Sequence, residues 1–456
     1  MKQRENFSSR LGFILISAGC AIGLGNVYRF PIITGAYGGA LFVLIYIGFL
    51  LLLGLPIMTM ELSVGRASQK SIASSFDVLE KPGQKWHWLK FLGICGNYLL
   101  MMFYTVITSW MFIYFFKYAN GSIMDYKTMD ELGMAFGDIV SNTGLLICTT
   151  FIVIALCFGI CSLGLQNGVE RITKVMMIAL FCLMIGLAIY SCTLSNAVEG
   201  LCFYLIPSTK PIKELGLWTV VSAAMGQAFF TLSLGIGSIA IFGSYIKKDR
   251  SLTGEAITIM SLDTFVAITS GLIVFPACFT YNGGVTADAS TVGASFLFTT
   301  LSSIFNAMPF GRIVGTLFFV FMTFAALSTV IAVFENIMSF WLDLTNMSRK
   351  KVAVINIVLV MALSLPCILS FTVLSNIQIF GMGIMDLEDY TVSNILLPVG
   401  SLIYILFCTT RYGWGWNNYF DEVNTGKGLK LSKYLKPYIT YVLPVIIIAV
   451  LVMSVF

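Results

Sequence analysis

Gly19-Cys20-Ala21-Ile22-Gly23-Leu24-Gly25-Asn26-Val27-Tyr28-Arg29-Phe30-Pro31 lies inside the first apolar segment of the chain and makes a poor continuous helix. Three glycines fall within seven residues, followed by an amide at Asn26 and a charge at Arg29. Each interior glycine costs about 1 kcal/mol relative to alanine. In hydrocarbon, carbonyls freed by an unwound turn are tolerated only where they face protein or a cavity. The stretch therefore predicts a broken membrane helix whose uncovered oxygens face cations and a small polar solute.

The surrounding chain fits a membrane setting. Of its 456 residues, 58% are hydrophobic and only 11% charged, too apolar for a soluble fold. Met1 to Arg10 is short and polar, and the apolar run after it is too long for the core of a cleavable leader. The N-terminus is thus expected in the cytoplasm. Basic residues occur at Lys2, Arg4 and Arg10, then Arg66, Lys70, Lys81, Lys85 and Lys90, then Arg171 and Lys174. Further sets are Lys247, Lys248 and Arg250, then Arg349, Lys350 and Lys351, then Arg411 to Lys436. They fill alternate loops, the positive-inside pattern. Short juxtamembrane clusters of this kind do not suit nucleic-acid binding.

The 11 cysteines, among them Cys148, Cys157, Cys161, Cys182 and Cys192, lack metal-ligand spacing and read as small buried apolar residues. The single histidine, His87, falls in a cytoplasmic loop. That leaves no imidazole for acid-base or zinc chemistry inside the membrane, so the chain is not expected to be an enzyme.

Apolar runs long enough to span a bilayer number eleven, at roughly 11–34, 40–65, 90–117, 143–163, 172–193, 216–243, 255–281, 310–343, 351–371, 391–411 and 437–456. An odd count puts the C-terminus outside. The turn Tyr281-Asn282-Gly283-Gly284 and the run Asp288 to Met308 read as a long external loop, either a re-entrant cap or a surface helix pair. Span 6 carries Thr231-Leu232-Ser233-Leu234-Gly235-Ile236-Gly237-Ser238, whose Leu-Gly-Ile-Gly-Ser mirrors the Ile-Gly-Leu-Gly-Asn of span 1. Five spans separate the two, so they run in opposite directions. The expected fold is an all-α polytopic membrane protein, a five-plus-five inverted repeat with helices 1 and 6 unwound and eleven transmembrane helices. All of 1–456 forms one domain on this reading. Its first repeat is about 11–193, its inverted second about 216–411, and an additional helix covers about 437–456.

At ~1.5 Å per helical residue, Ile22, Tyr104, Asp263 and Ser328 lie roughly 15 to 23 Å from the cytoplasmic ends of their spans, near the bilayer centre. A carboxylate such as Asp263 at that depth costs several kcal/mol unless paired or coordinated, and points to an ion or proton site. Span 8 shows a stripe at Ala325, Ser328, Thr329, Ala332, Glu335, Asn336, Ser339 and Asp343, spaced mostly three and four apart. Helix packing explains the small residues. Glu335 and Asp343 suit a water-accessible inner pathway better. Carbonyls at Gly19, Ala21 and Ile22, with Asn26, Thr231, Asp263, Ser328 and Thr329, supply the hard oxygens that two sodium ions need. A solute carboxylate is expected to meet the exposed N–H groups of Gly23 to Gly25. Tyr104 is placed to donate a further hydrogen bond.

Several of these stretches resemble one family. Arg10-Leu11-Gly12 through Gly19 to Pro31, Gly38-Gly39, Glu61-Leu62-Ser63-Val64-Gly65-Arg66 and Gln227-Ala228-Phe229-Phe230-Thr231-Leu232-Ser233 are similar to the neurotransmitter:sodium symporter family, especially its bacterial amino-acid transporters. The resemblance runs from about Phe7 to Tyr441. It implies one sodium site at Ala21, Asn26, Thr231 and Asp263 with the substrate carboxylate, and a second at Gly19, Ile22, Ala325, Ser328 and Thr329. It implies a substrate pocket of Ala21, Gly23, Gly25, Leu100, Tyr104, Phe230, Thr231, Ser233, Ile236, Thr329 and Val333. Arg29 and Asp389 would close the outer gate. Arg4 and Asp343 would close the inner one, with Tyr245 nearby.

Five departures qualify the resemblance. Asp263 stands where the family usually has Asn, and Ala267 replaces the serine of chloride-dependent members and the glutamate of a bacterial one. A charge supplied by Asp263 predicts chloride independence. Gly23 replaces the aspartate that holds biogenic amines, which favours a substrate with its own carboxylate. Cys20 stands for an amide, and a twelfth helix is missing. The implied activity is sodium-coupled import of a neutral, hydrophobic L-amino acid, aromatic or branched aliphatic, by alternating access across the cell's inner membrane. The alternatives are a proton-coupled transporter of the same fold class and a membrane amino-acid sensor without transport.

Overall fold

The computed structural model describes residues 5–284 and 297–455. Among them, nine helices are long and apolar enough to cross a bilayer, and two broken segments complete the set of eleven. In chain order these are α1 (Arg10–Ala21 and Gly25–Ala36), α2 (Ala40–Ser68), α3 (Trp86–Asn120), α4 (Thr143–Ser162) and α5 (Leu165–Cys192). The second set is α6 (Leu217–Thr231 and Ala240–Gly243), α7 (Leu252–Asn282), α8 (Gly311–Leu344), α9 (Arg349–Leu369), α10 (Ile384–Thr409) and α11 (Lys433–Met453). Of the long helices, α8 is the most enclosed by protein and α11 the least. The core therefore sits where α1, α3, α6 and α8 meet.

The two breaks have local causes. α1 starts cleanly, with the Ser9 hydroxyl accepting the Gly12 N–H at 3.0 Å. It stops at Ala21 because Ile22 is extended, and the halves on either side meet at 59°. α6 stops at Thr231, after which Ser233, Gly235 and Gly237 all have positive φ, at 48°, 103° and 76°. Glycine adopts that region without steric cost, so a helix cannot continue there but a tight irregular strand of chain can. The irregular stretch is also pressed between neighbours: a Cβ on Gly235 would lie 2.2 Å from the Leu397 carbonyl of α10.

Close backbone contact fixes α2 against the inner half of α6. A Cβ on Gly65 would lie 1.8 Å from the Ala240 carbonyl, and one on Gly243 would lie 2.5 Å from that of Leu62. Small residues at such crossings let helices approach within membranes.

The break expected in span 6 is present, at residues 232–239, which leave the helix. Several sequence expectations need correction. α10 begins at Ile384, several residues before the apolar run, because Asp386, Glu388 and Asp389 are carried on its first turns. Cys148, Cys182 and Cys192 are exposed, on faces turned away from the protein core, whereas Cys157 and Cys161 are buried as expected. Arg66 is not a loop charge. It is fully buried, its Nε donating to Glu422 Oε1 at 2.6 Å and its Nη1 to the Arg250 carbonyl at 2.7 Å. Of the external loop, residues 285–296 lie outside the described residues. Residues 297–307 are helical and largely buried, with Phe298 stacked on Phe136.

Candidate functional site

The break in α1 is closed by side chains from α3 and α8. Tyr104 of α3 accepts the Leu24 N–H at 3.0 Å through its hydroxyl oxygen. Thr329 of α8 donates to the carbonyls of Gly19 and Ile22, each at 3.3 Å. Ser328 and Thr329 also donate to the Ala325 carbonyl, at 2.9 and 3.4 Å. Gly19, Ile22, Ala325, Ser328 and Thr329 are thus brought together as a ring of oxygens, all fully or almost fully buried.

A second cluster lies on the α7 side of the break. Asp263 is fully buried and, among the described residues, has no basic side chain within salt-bridge distance. The Asn26 amide donates to its Oδ1 at 2.8 Å and to its carbonyl at 3.2 Å, while the Thr231 hydroxyl donates to Oδ2 at 3.4 Å. Asn26 Oδ1 accepts the Gly23 N–H at 3.3 Å, and its backbone carbonyl accepts from Ser270 at 2.8 Å. Ala21 closes the helix just before. A carboxylate and an amide oxygen in a water-poor place form an anionic, hard-oxygen environment suited to a small cation.

Gly23 sits between the two clusters. A Cβ there would lie 2.5 Å from the Tyr104 hydroxyl and 2.8 Å from Thr329 Oγ1, so no side chain fits while those groups hold the break.

A cavity of about 1040 Å³ opens on the face opposite Arg10. Its lining includes Gly25, Tyr104 and Phe230 of the expected pocket, together with Leu24, Gln227 and Trp110. The remaining expected pocket residues, Ala21, Gly23, Leu100, Thr231, Ser233, Ile236, Thr329 and Val333, do not line it. Ser233 is partly buried and the others are buried. Arg29 and Asp389 both line the cavity but are not paired within 4.0 Å. The Arg29 guanidinium instead lies over the Phe230 ring, 4.2 Å from its centroid, and Asp389 accepts from Ser393 at 2.8 Å.

The opposite face is closed. Tyr245 donates to Glu335 Oε1 at 2.8 Å, Ser339 hydrogen-bonds both, and the Arg349 guanidinium sits 2.5 Å from Glu335 Oε2. Asp343 accepts the Ser71 N–H at 2.7 Å and lies 4.0 Å from Lys70 Nζ. Arg4, its expected partner, lies outside the described residues. Phe7 packs on Phe13, Phe242 and Tyr245, adding an apolar plug. The polar stripe of α8 is therefore not water-lined here: Glu335 is fully buried, and protein partners satisfy its charge.

Sequence reasoning quoted Glu61 but gave it no role. Its carboxylate, fully buried in α2, accepts the N–H groups of Gly235 and Ile239 and so holds the irregular stretch of α6. An acid inside an apolar run was the available signal. Gln227, which donates to the Gly25 carbonyl at 3.0 Å, and Asn97, which donates to the Ile236 carbonyl at 2.9 Å, were also missed. Away from the membrane segments, His87 pairs with Glu80 at 2.6 Å, as a loop histidine can.

The sodium:neurotransmitter symporter family model matches residues 4–123 and 117–456. An uncharacterized sodium-dependent transporter of Bacillus subtilis, YhdH, is 33% identical over 401 residues, covering 88% of this chain and 86% of that one. An uncharacterized sodium-dependent transporter of Haemophilus influenzae is 29% identical over 469 residues, covering 100% and 99%. Among solved structures, MhsT in complex with L-phenylalanine superposes with a TM-score of 0.86 at 36% identity, covering all of both chains. Two broken helices set around a buried carboxylate, and matches that run the length of the chain, lead to one assignment: the protein is a sodium-dependent transporter belonging to the sodium:neurotransmitter symporter family.

Proposed function

We propose that the chain imports a neutral, hydrophobic L-amino acid together with sodium, and does so without chloride. The observation that carries this reading is the Asp263 carboxylate, buried against Asn26 and Thr231 with no basic partner among the described residues. A sodium ion at Ala21, Asn26, Thr231 and Asp263 neutralises it, and a substrate carboxylate adjoining the Leu24 and Gly25 amides shares that ion. Neither solute is then well held alone, which is the basis of coupling. The second sodium ion sits at Gly19, Ile22, Ala325, Ser328 and Thr329 and bridges α1 to α8.

The substrate carboxylate accepts a hydrogen bond from the Tyr104 hydroxyl, and Phe230, Leu100, Ile236 and Val333 form an uncharged wall for its side chain. L-phenylalanine bound to MhsT supports an amino acid of this class. The cavity on the face opposite Arg10 is the external entrance, with the N-terminus cytoplasmic. Arg29 and Asp389 come together once the site is filled, and the Tyr245, Glu335 and Arg349 contacts then release toward the cytoplasm.

The test is binding and uptake of labelled phenylalanine, leucine and alanine by purified protein and proteoliposomes. Replacing sodium by choline should abolish both, and replacing chloride by gluconate should change neither. Undiminished binding in choline would favour proton coupling through Asp263. Binding without counterflow would favour a sensor.

A further inference from the structure

Helix α3 carries a notch that receives the irregular stretch of α6. Gly96, Leu100 and Tyr104 are spaced four apart, so they share one helix face, and Tyr104 at its upper end reaches the cavity floor. At the lower end, Ile236 is seated against Gly96: a Cβ there would lie 2.7 Å from Ile236 Cγ2 and 3.5 Å from its Cβ. The backbone around Ile236 is held from two sides. Asn97 donates to its carbonyl at 2.9 Å, and Glu61 accepts the N–H groups on either side, from Gly235 and Ile239. Asn97 is itself tied to α8, since its Oδ1 accepts from Asn336 at 3.1 Å.

We propose that Gly96 determines the size of amino-acid side chain the site accepts, by giving Ile236 room to sit back into α3. This rests on the reading of Tyr104, Leu100, Phe230 and Ile236 as substrate walls. A methyl group at 96 cannot push the α6 backbone, which three hydrogen bonds hold, so it must turn the Ile236 side chain. That side chain is β-branched, with few χ1 choices and no slack. It is displaced away from α3 and, with Ile236 as a substrate wall, takes up space that the substrate side chain needs. Large side chains lose that space first, and small ones never use it.

The experiment measures sodium-dependent affinity for tryptophan, phenylalanine, valine and alanine in the full chain and in three variants. Gly96→Ala should weaken tryptophan and phenylalanine by about tenfold or more relative to alanine, the scale set by one methylene in a filled pocket. Ile236→Ala alone should shift preference toward tryptophan. Gly96→Ala with Ile236→Ala should restore aromatic binding, a rescue that a purely structural role for Gly96 does not give. Equal loss for all four substrates, an unchanged profile, or failure of the double variant to recover would overturn the proposal. Should Gly96→Ala fail to fold, an Ile236→Ala protein with the unaltered preference would overturn it as well. If the unaltered chain binds none of the four in sodium, the substrate site itself has been misassigned and this proposal goes with it. A selective chain that fails only the variant tests leaves the site standing and removes Gly96 as its determinant.

Discussion

Asp263→Asn is the sharpest test of the site, because it removes a charge and almost nothing else. The Asn26 amide already donates to one carboxylate oxygen at 2.8 Å, and a carboxamide oxygen can take that bond. Its nitrogen is then left toward Thr231, now 3.4 Å from Oδ2. Two unit charges 4 Å apart at an effective dielectric of 20 attract by about 4 kcal/mol, and the neutral amide oxygen retains part of that. A net loss of about 2–4 kcal/mol in sodium binding corresponds to about 30- to 700-fold in the sodium concentration giving half-maximal substrate binding. A second signature separates this from unfolding. Without sodium, Asp263 is a buried acid lacking a basic partner, so the amide should leave the melting temperature equal or higher. The rise in melting temperature on adding sodium should shrink, because ligand binding to the folded state is what produces it. The assay is sodium titration of labelled phenylalanine binding beside a thermal melt in sodium and in potassium. A sodium midpoint within about threefold of the unaltered chain, with the sodium-induced thermal shift intact, would refute the reasoning.

Three further outcomes are expected. Gly23→Ala places a methyl 2.5 Å from the Tyr104 hydroxyl and 2.8 Å from Thr329 Oγ1, so it should weaken substrate affinity by about tenfold or more in equilibrium binding. Glu61→Ala leaves the Gly235 and Ile239 N–H groups without their acceptor and should destabilise the folded protein by about 2–6 kcal/mol, read as a lowered melting temperature, with Glu61→Gln intermediate. Arg349→Ala strands the buried Glu335 carboxylate and should cost about 3–5 kcal/mol, while Arg349→Ala with Glu335→Gln should regain most of it in the same melt.

The two breaks and most of the oxygen-bearing side chains gathered around them were legible in the chain because their signals are local. Glycines at 19, 23 and 25 sit within one turn or two of Asn26, and Gly235 and Gly237 repeat the pattern. Asp263 announced itself by depth alone, since counting residues from a charged end needs no tertiary information. Other groups gave no such local sign. Glu61 meets Gly235 across 174 positions, and Arg66 meets Glu422 across 356, so nothing near either residue reveals its partner. Arg66 and Arg349 look like loop charges by composition, yet both are drawn into protein by acids from other segments. The expected Arg29 to Asp389 contact is not formed, and an aromatic face receives the guanidinium instead. A single sequence carries no mark of which partner a guanidinium beside a cavity takes.

The joining of α2 to the inner half of α6 has a mechanical consequence. Backbone at Gly65 touches backbone at Ala240, Gly243 touches Leu62, and one carboxylate from α2 grips the irregular chain just ahead of them. These two pieces can only travel as a single lever. Any rocking of the inner half of α6 must therefore drag α2 along with it.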